Sequence, residues 1–236
     1  MRRGKFITFE GLDGCGKTTQ LEKLAEVLRK DGLDVLTTRE PGGTSIGESI
    51  RTVLLDSRTA GLDPQTEMAL MFASRAQHVG QVILPALATG QWVLCDRFTD
   101  STEAYQGGGR RLGTVAVLRL HEVLCGGLWP DLTILMDSEV SASVKRARRR
   151  NRQRVSIAQD DADENRFEKE SKAFFTRVHD AYLAIARREP QRIAVVDARR
   201  PIGEVHREIA GIVRKRLMQP DRTKAQPGLS LGPGSD

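Results

Sequence analysis

"FITFEGLDGCGKTTQL", residues 6–21, joins a short apolar run to a glycine-rich turn and then to residues of helical period. Gly11-Leu12-Asp13-Gly14-Cys15-Gly16-Lys17-Thr18 fits G-x-x-x-x-G-K-[ST], and its context is the one that pattern needs, a strand before it and a helix after it. Glycines let backbone amides curl around phosphate oxygens, and the helix N-terminus adds positive potential. Lys17 neutralises β and γ phosphates, Thr18 ligates magnesium, and Thr19 completes the set expected to bind ATP, Gly11 to Thr19. The stretch therefore predicts a P-loop holding a nucleoside triphosphate with Mg2+. It does not by itself separate a kinase from a GTPase or a motor ATPase.

Outward from this loop the chain alternates. Strands are predicted at Phe6 to Phe9, Val35 to Thr38, Trp92 to Cys95, Leu132 to Met136 and Ile193 to Val196. Helical spacing falls between them: Leu21, Leu24, Ala25 and Leu28; Ile46 to Leu54; about Thr66 to Ala88, disturbed at Pro85; Val115 to Leu124; Val140 to about Arg150; Phe167 to Arg187; Ile202 to Leu217. That order predicts an α/β protein, a five-stranded parallel sheet flanked by helices on both faces, with ligands at the carboxyl ends of the strands. One domain over residues 1–218 accounts for it. Residues 219–236, "QPDRTKAQPGLSLGPGSD" from 219, lack apolar period and read as a disordered tail.

The 236 residues are 39% hydrophobic and 29% charged, ordinary for one globular domain. No run approaches the roughly 18 apolar residues of a membrane span, and "MRRGKF" leads straight into a strand, so a cytoplasmic protein is expected. The three cysteines, Cys15, Cys95 and Cys125, match neither a metal spacing nor a disulfide framework. The net charge of +6 is concentrated in "KRARRRNRQR", residues 145–154, a local run that suits the phosphates of a small ligand as well as a nucleic acid.

N-K-x-D is absent and no D-x-x-G follows a suitable strand, which argues against a regulatory GTPase. Four other stretches point to a second phosphate-bearing ligand. "TREPGGT", residues 38–44, puts Arg39, Glu40 and Pro41 at the end of the second strand. "MFASRAQH", residues 71–78, places Phe72 and Arg75 one helical turn apart, a ring to stack on a base and a guanidinium for its carbonyl edge. "CDRF", residues 95–98, sets Asp96 for magnesium and Arg97 for a phosphate at the end of a central strand. "STEAYQGGGR", residues 101–110, adds Ser101, Tyr105 and Gln106 beside a flexible glycine run.

In order, and with "WPDLT" at 129–133, these blocks resemble the bacterial thymidylate kinase family of P-loop nucleoside monophosphate kinases. The resemblance implies transfer of phosphate from ATP to dTMP, giving dTDP for dTTP biosynthesis, and a homodimer. By resemblance, Phe72 stacks on thymine and Arg75 bonds its carbonyl. The F-x-x-R spacing is one residue shorter than the commonest form, so Met71 is an alternative platform. Glu40 and Pro41 line the acceptor pocket, Arg97 binds the dTMP phosphate, Tyr105 packs where a 2′-hydroxyl would clash, and Gln106 flanks the base. Asp13 meets the sugar 3′-hydroxyl or a lid arginine.

No base lies between Gly11 and Gly16, which resembles the family type with catalytic arginines in a mobile lid, here about 146–166. Arg146, Arg149, Arg150 and Arg154 are the candidates, acting with Lys17 and Arg97 as catalytic cations. The family's D-R-x-E, which closes the lid, stands as Asn165-Arg166-Phe167-Glu168, with the first acid missing and Arg166 and Glu168 kept. The expected partners are ATP and dTMP, with no membrane and no nucleic acid. Two alternatives stay open: another (deoxy)nucleoside monophosphate kinase, and a non-catalytic nucleotide-binding protein.

Overall fold

The computed structural model describes residues 3–59, 61–158 and 166–218, with the backbone alone described for 152–158 and 168. Its sheet runs β2 (Val35–Arg39), β3 (Trp92–Asp96), β1 (Phe6–Glu10), β4 (Leu132–Asp137), β5 (Ile193–Asp197), all pairs parallel. Every residue of β1 is buried, as both faces of a parallel sheet must be, whereas in the edge strand β2 only Val35 is buried and the rest alternate between half-buried and exposed positions.

The period-2 alternation of β1 sorts the core. Ile7 and Phe9 join Leu24 and Leu28 of α1 (Lys17–Lys30) and Ile209 of α9 (Ile202–Val213) on one face. Phe6 turns to the other face, with Phe72 of α3 (Pro64–His78), Leu87 of α4 (Leu84–Ala88) and Val117 of α6 (Thr114–Cys125). Thr8 and Glu10 share that second face as buried polar residues. Five parallel strands between two helical layers are what the alternation predicts.

Several elements differ from the sequence-based reading. The helix through Pro85 is not broken there; α3 passes through a π-helical turn, Val79–Ile83, directly into α4, with Pro85 in the first turn of α4, where a missing N–H costs least. The glycine-rich 101–110 stretch is not an open loop: α5 (Thr99–Thr102) continues into a π-helical segment, Glu103–Gly109. Finally, the helix expected from Phe167 begins at Lys172, because Ser171 caps it by accepting from the Phe174 N–H, and α8 then runs Lys172–Arg188. The remaining helices are α2 (Ser45–Leu55) and α7 (Val140–Ala158), which extends well past Arg150. Residues 219–236, with the tail expectation, lie outside the described residues. Among the described residues no helix is long and apolar enough to cross a membrane.

Candidate active site

The carboxyl ends of β1, β2 and β3 open onto a cleft of about 1090 Å³, the upper end of the range for ligand sites. One end is the 11–18 loop. Gly11 and Gly14 hold φ of 131° and 80°, and both are sterically closed to a side chain. A Cβ on Gly11 would meet Met136 O at 2.6 Å, and one on Gly14 would meet Ser143 O at 2.4 Å. Asp13, Gly14, Gly16, Lys17, Thr18 and Thr19 face the cleft. Leu12 and Cys15 turn inward as core residues, and burial pushes the Cys15 thiol up despite the nearby Lys17 ammonium, so Cys15 fills space. Lys17 Nζ donates to Gly11 O at 3.1 Å and Leu12 O at 2.9 Å, so it is already drawn over the loop. Thr18 Oγ1 donates to Asp96 Oδ2 at 2.7 Å, bringing together two hard oxygen donors from α1 and β3.

At the other end stands a wall of buried charge. Arg75, 2% exposed, donates from Nε to Glu40 Oε2 at 2.7 Å and from Nη2 to Phe98 O and Thr102 Oγ1 at 3.1 and 3.0 Å. Its Nη1 is buried and has no partner among the described residues, although Arg75 lines the cleft. Burial alone would push Glu40 up, but the Arg75 guanidinium and the bond to His78 at 2.9 Å outweigh it and hold the carboxylate below its ordinary value. Behind this pair Glu67, fully buried, accepts from Gln106 at 2.7 Å, Arg110 at 3.1 Å and Arg166 at 2.6 Å.

Arg97 joins the two ends. Its φ of 73° is left-handed, a strained conformation for a long side chain, and it aims the guanidinium back over the P-loop. Nη2 donates to Asp13 Oδ1 at 2.7 Å, Nη1 donates to Ser101 Oγ at 2.9 Å and Tyr182 Oη at 3.1 Å, and the group lies 5.0 Å over the Tyr105 ring. Burial works to raise Asp13, yet Arg97 and Lys17 overcome it and keep this carboxylate well below the usual range.

A triphosphate loop and a buried, base-sized polar wall facing each other across an arginine describe a two-substrate phosphotransferase site, and sequence comparison gives the same answer. The thymidylate kinase family model matches residues 9–209. The chain is 46% identical over 214 residues to a thymidylate kinase of Geobacter sulfurreducens, covering 91% of this chain and 98% of that one. It is 48% identical over 200 residues to one of Desulfovibrio desulfuricans, covering 85% and 90%. This chain belongs to the thymidylate kinase family. A crystal structure of the enzyme from Ehrlichia chaffeensis superposes with a TM-score of 0.69 at 33% identity, covering 89% of this chain and 99% of that one.

Within that family frame, Arg39, Glu40, Pro41, Arg75, Asp96, Arg97, Ser101, Tyr105 and Gln106 all line the cleft. Phe72 does not. It is 0% exposed in the core with Phe6 and Phe98, and Met71 lines the cleft in its place. The expectation that Phe72 presents its ring to a base is corrected by helix phase: Met71 and Arg75 are four residues apart and share a face, and Phe72 is rotated behind them to lie under Arg75, 4.9 Å from its guanidinium.

Of the lid arginines, Arg146 donates to Gly14 O at 2.7 Å and Arg150 lines the cleft, while Arg149 is exposed beside it. The side chains of Arg154 and Glu168 lie outside the described residues, as does Asn165. Arg166 is buried on Leu54 O and Glu67, so it anchors the lid's end to the acceptor wall and stays out of the cleft. Sequence reasoning missed Glu67, Phe167 and Tyr182. Glu67 carried a signal, an acid between apolar positions of a predicted helix. Tyr182 had none, because its partners come from β1, α5 and Arg97 just after β3.

Proposed function

We propose that this chain transfers the γ-phosphoryl group of ATP to the 5′-phosphate of dTMP, in the cytoplasm and as a homodimer, giving dTDP and ADP for dTTP synthesis. The observation that carries the choice of acceptor is Arg75 on the cleft wall, whose buried Nη1 has no partner among the described residues and suits an acceptor such as a thymine carbonyl. Met71 packs against the base. Gln106 and Pro41 flank it, and Tyr105 closes the space beside C2′.

In the transfer, the bond from Pγ to the ADP oxygen breaks as one forms to an oxygen of dTMP, with charge spread over the moving group. Lys17 leaves the loop carbonyls for the β and γ phosphates. Arg97 grips the acceptor phosphate, competing with Asp13 for its guanidinium. Arg146 and Arg150, at the loop and over the cleft, supply positive charge to the moving group, with Arg149 and Arg154 on the same arm. The Thr18 and Asp96 oxygens, 2.7 Å apart, fit a Mg2+ ion, which when bound would neutralise phosphate charge.

Val115 and Val123, 66% and 78% exposed on α6, support the homodimer, which light scattering tests; cell fractionation tests the compartment. The reaction is tested by ADP release with dTMP, dUMP, dCMP, dGMP and AMP. Preference for dTMP, with dUMP next, is expected. Equal or better turnover of dCMP, dGMP or AMP would reject the assignment, and ATP binding without turnover would favour a non-catalytic nucleotide-binding protein.

A further inference from the structure

Glu10 ends β1 as a fully buried carboxyl on an otherwise nearly apolar strand, and it does not line the cleft. Its two oxygens are nonetheless committed. Oε1 accepts from the Phe98 N–H at 2.6 Å. Oε2 accepts from Ser101 Oγ at 2.5 Å and Tyr182 Oη at 3.0 Å. Those two hydroxyls are the same ones that meet Arg97 Nη1.

The directions of these bonds follow from valence. A guanidinium only donates, so both hydroxyl oxygens must accept from Arg97, and each has one proton left to place. A carboxylate only accepts, so Oε2 takes these protons, and because the two hydroxyls also lie 2.8 Å apart one of them can share its proton with the other. The bond from Phe98 N–H holds the chain one residue beyond Arg97, at the point where the backbone takes its positive φ. Glu10 thus constrains Arg97 twice, through its backbone and through its guanidinium.

We propose that Glu10 is a positioning residue for phosphoryl transfer, aiming Arg97 at the acceptor phosphate by ordering Ser101, Tyr182 and the Phe98 amide around it. This rests on the assignment of Arg97 to the dTMP phosphate. Burial, reinforced by Asp100, pushes the Glu10 carboxyl up to about 7 against the pull of Arg97.

Glu10→Gln is the discriminating change, because the amide nitrogen faces a donor in either orientation, Phe98 N–H on one side or two hydroxyl protons on the other. Expected is a rise in KM for dTMP of about tenfold to a hundredfold, the range for losing hydrogen bonds to a charged group, with KM for ATP within about twofold. In an Arg97→Ala background the same change should add nothing further to KM for dTMP, which a general loss of structure would not reproduce. Tyr182→Phe, which removes one hydroxyl only, should raise KM for dTMP by a smaller factor and decides the matter if Glu10→Gln does not fold. A Glu10→Gln enzyme with unchanged KM for dTMP, or effects that simply multiply with those of Arg97→Ala, overturns the role of Glu10 alone. If Arg97→Ala by itself leaves KM for dTMP unchanged, the assignment of Arg97 falls and the inference falls with it.

Discussion

The P-loop gathers its phosphate-binding pattern into eight consecutive residues, 11–18, whereas the acceptor wall draws Glu40 from the end of β2, Glu67, Met71 and Arg75 from α3, and Gln106 from the π-helical segment. The loop works mainly through backbone, so its demand is on conformation: Gly14 is glycine because a Cβ would strike Ser143 O. The wall works through side chains, and its demand is on charge balance. Arg75 and Glu40 are each nearly sealed from solvent, so each compensates the other's buried charge, with His78 as a second partner of Glu40. A continuous motif is legible in one line of sequence. A wall assembled from distant segments is legible only once the strands have brought them together.

The two regions should therefore fail differently. Lys17→Met removes a cation from the donor end and leaves Asp13 still paired with Arg97 at 2.7 Å, so kcat should fall by about a thousandfold or more while the thermal unfolding transition moves little. Turnover surviving that change would show that the loop is not the donor site.

A smaller contrast lies within the wall. Phe72→Ala empties a core position and should cost about 3–5 kcal/mol in chemical denaturation. Met71→Ala, one residue earlier, should leave most of the stability intact and raise KM for dTMP several-fold. The reverse pattern would mean that Phe72, not Met71, is the surface the base rests on.

The sequence carried the sheet, its helical layers and the phosphate loop because each is written as local periodicity or a contiguous pattern. It misjudged the 103–109 segment for a physical reason. Three successive glycines suggest flexibility, yet a Cβ on Gly108 would meet Ala181 Cβ at 2.6 Å, and one on Gly109 would meet Phe174 Cε2 at 2.6 Å. These glycines allow close approach of α8, which carries Tyr182 to Arg97. Phe72 and Met71 were separated only by the phase of α3, about 100° per residue, which a motif with one residue of ambiguity does not define. Glu10 and Glu67 are buried acids whose side-chain partners lie 39 or more residues away in sequence, so their pairing is invisible before folding.

The central claim is that the cleft pairs an ATP loop with a wall that recognises thymine through the spare donor of Arg75. The most direct measurement is the ratio of kcat/KM for dTMP over dCMP, in the unaltered protein and in Arg75→Met. Cytosine presents an amino group where thymine presents a carbonyl, so the unaltered protein should favour dTMP by at least about a hundredfold, and Arg75→Met should lose most of that ratio. A ratio near one in the unaltered protein, or a ratio untouched by Arg75→Met, would contradict the account.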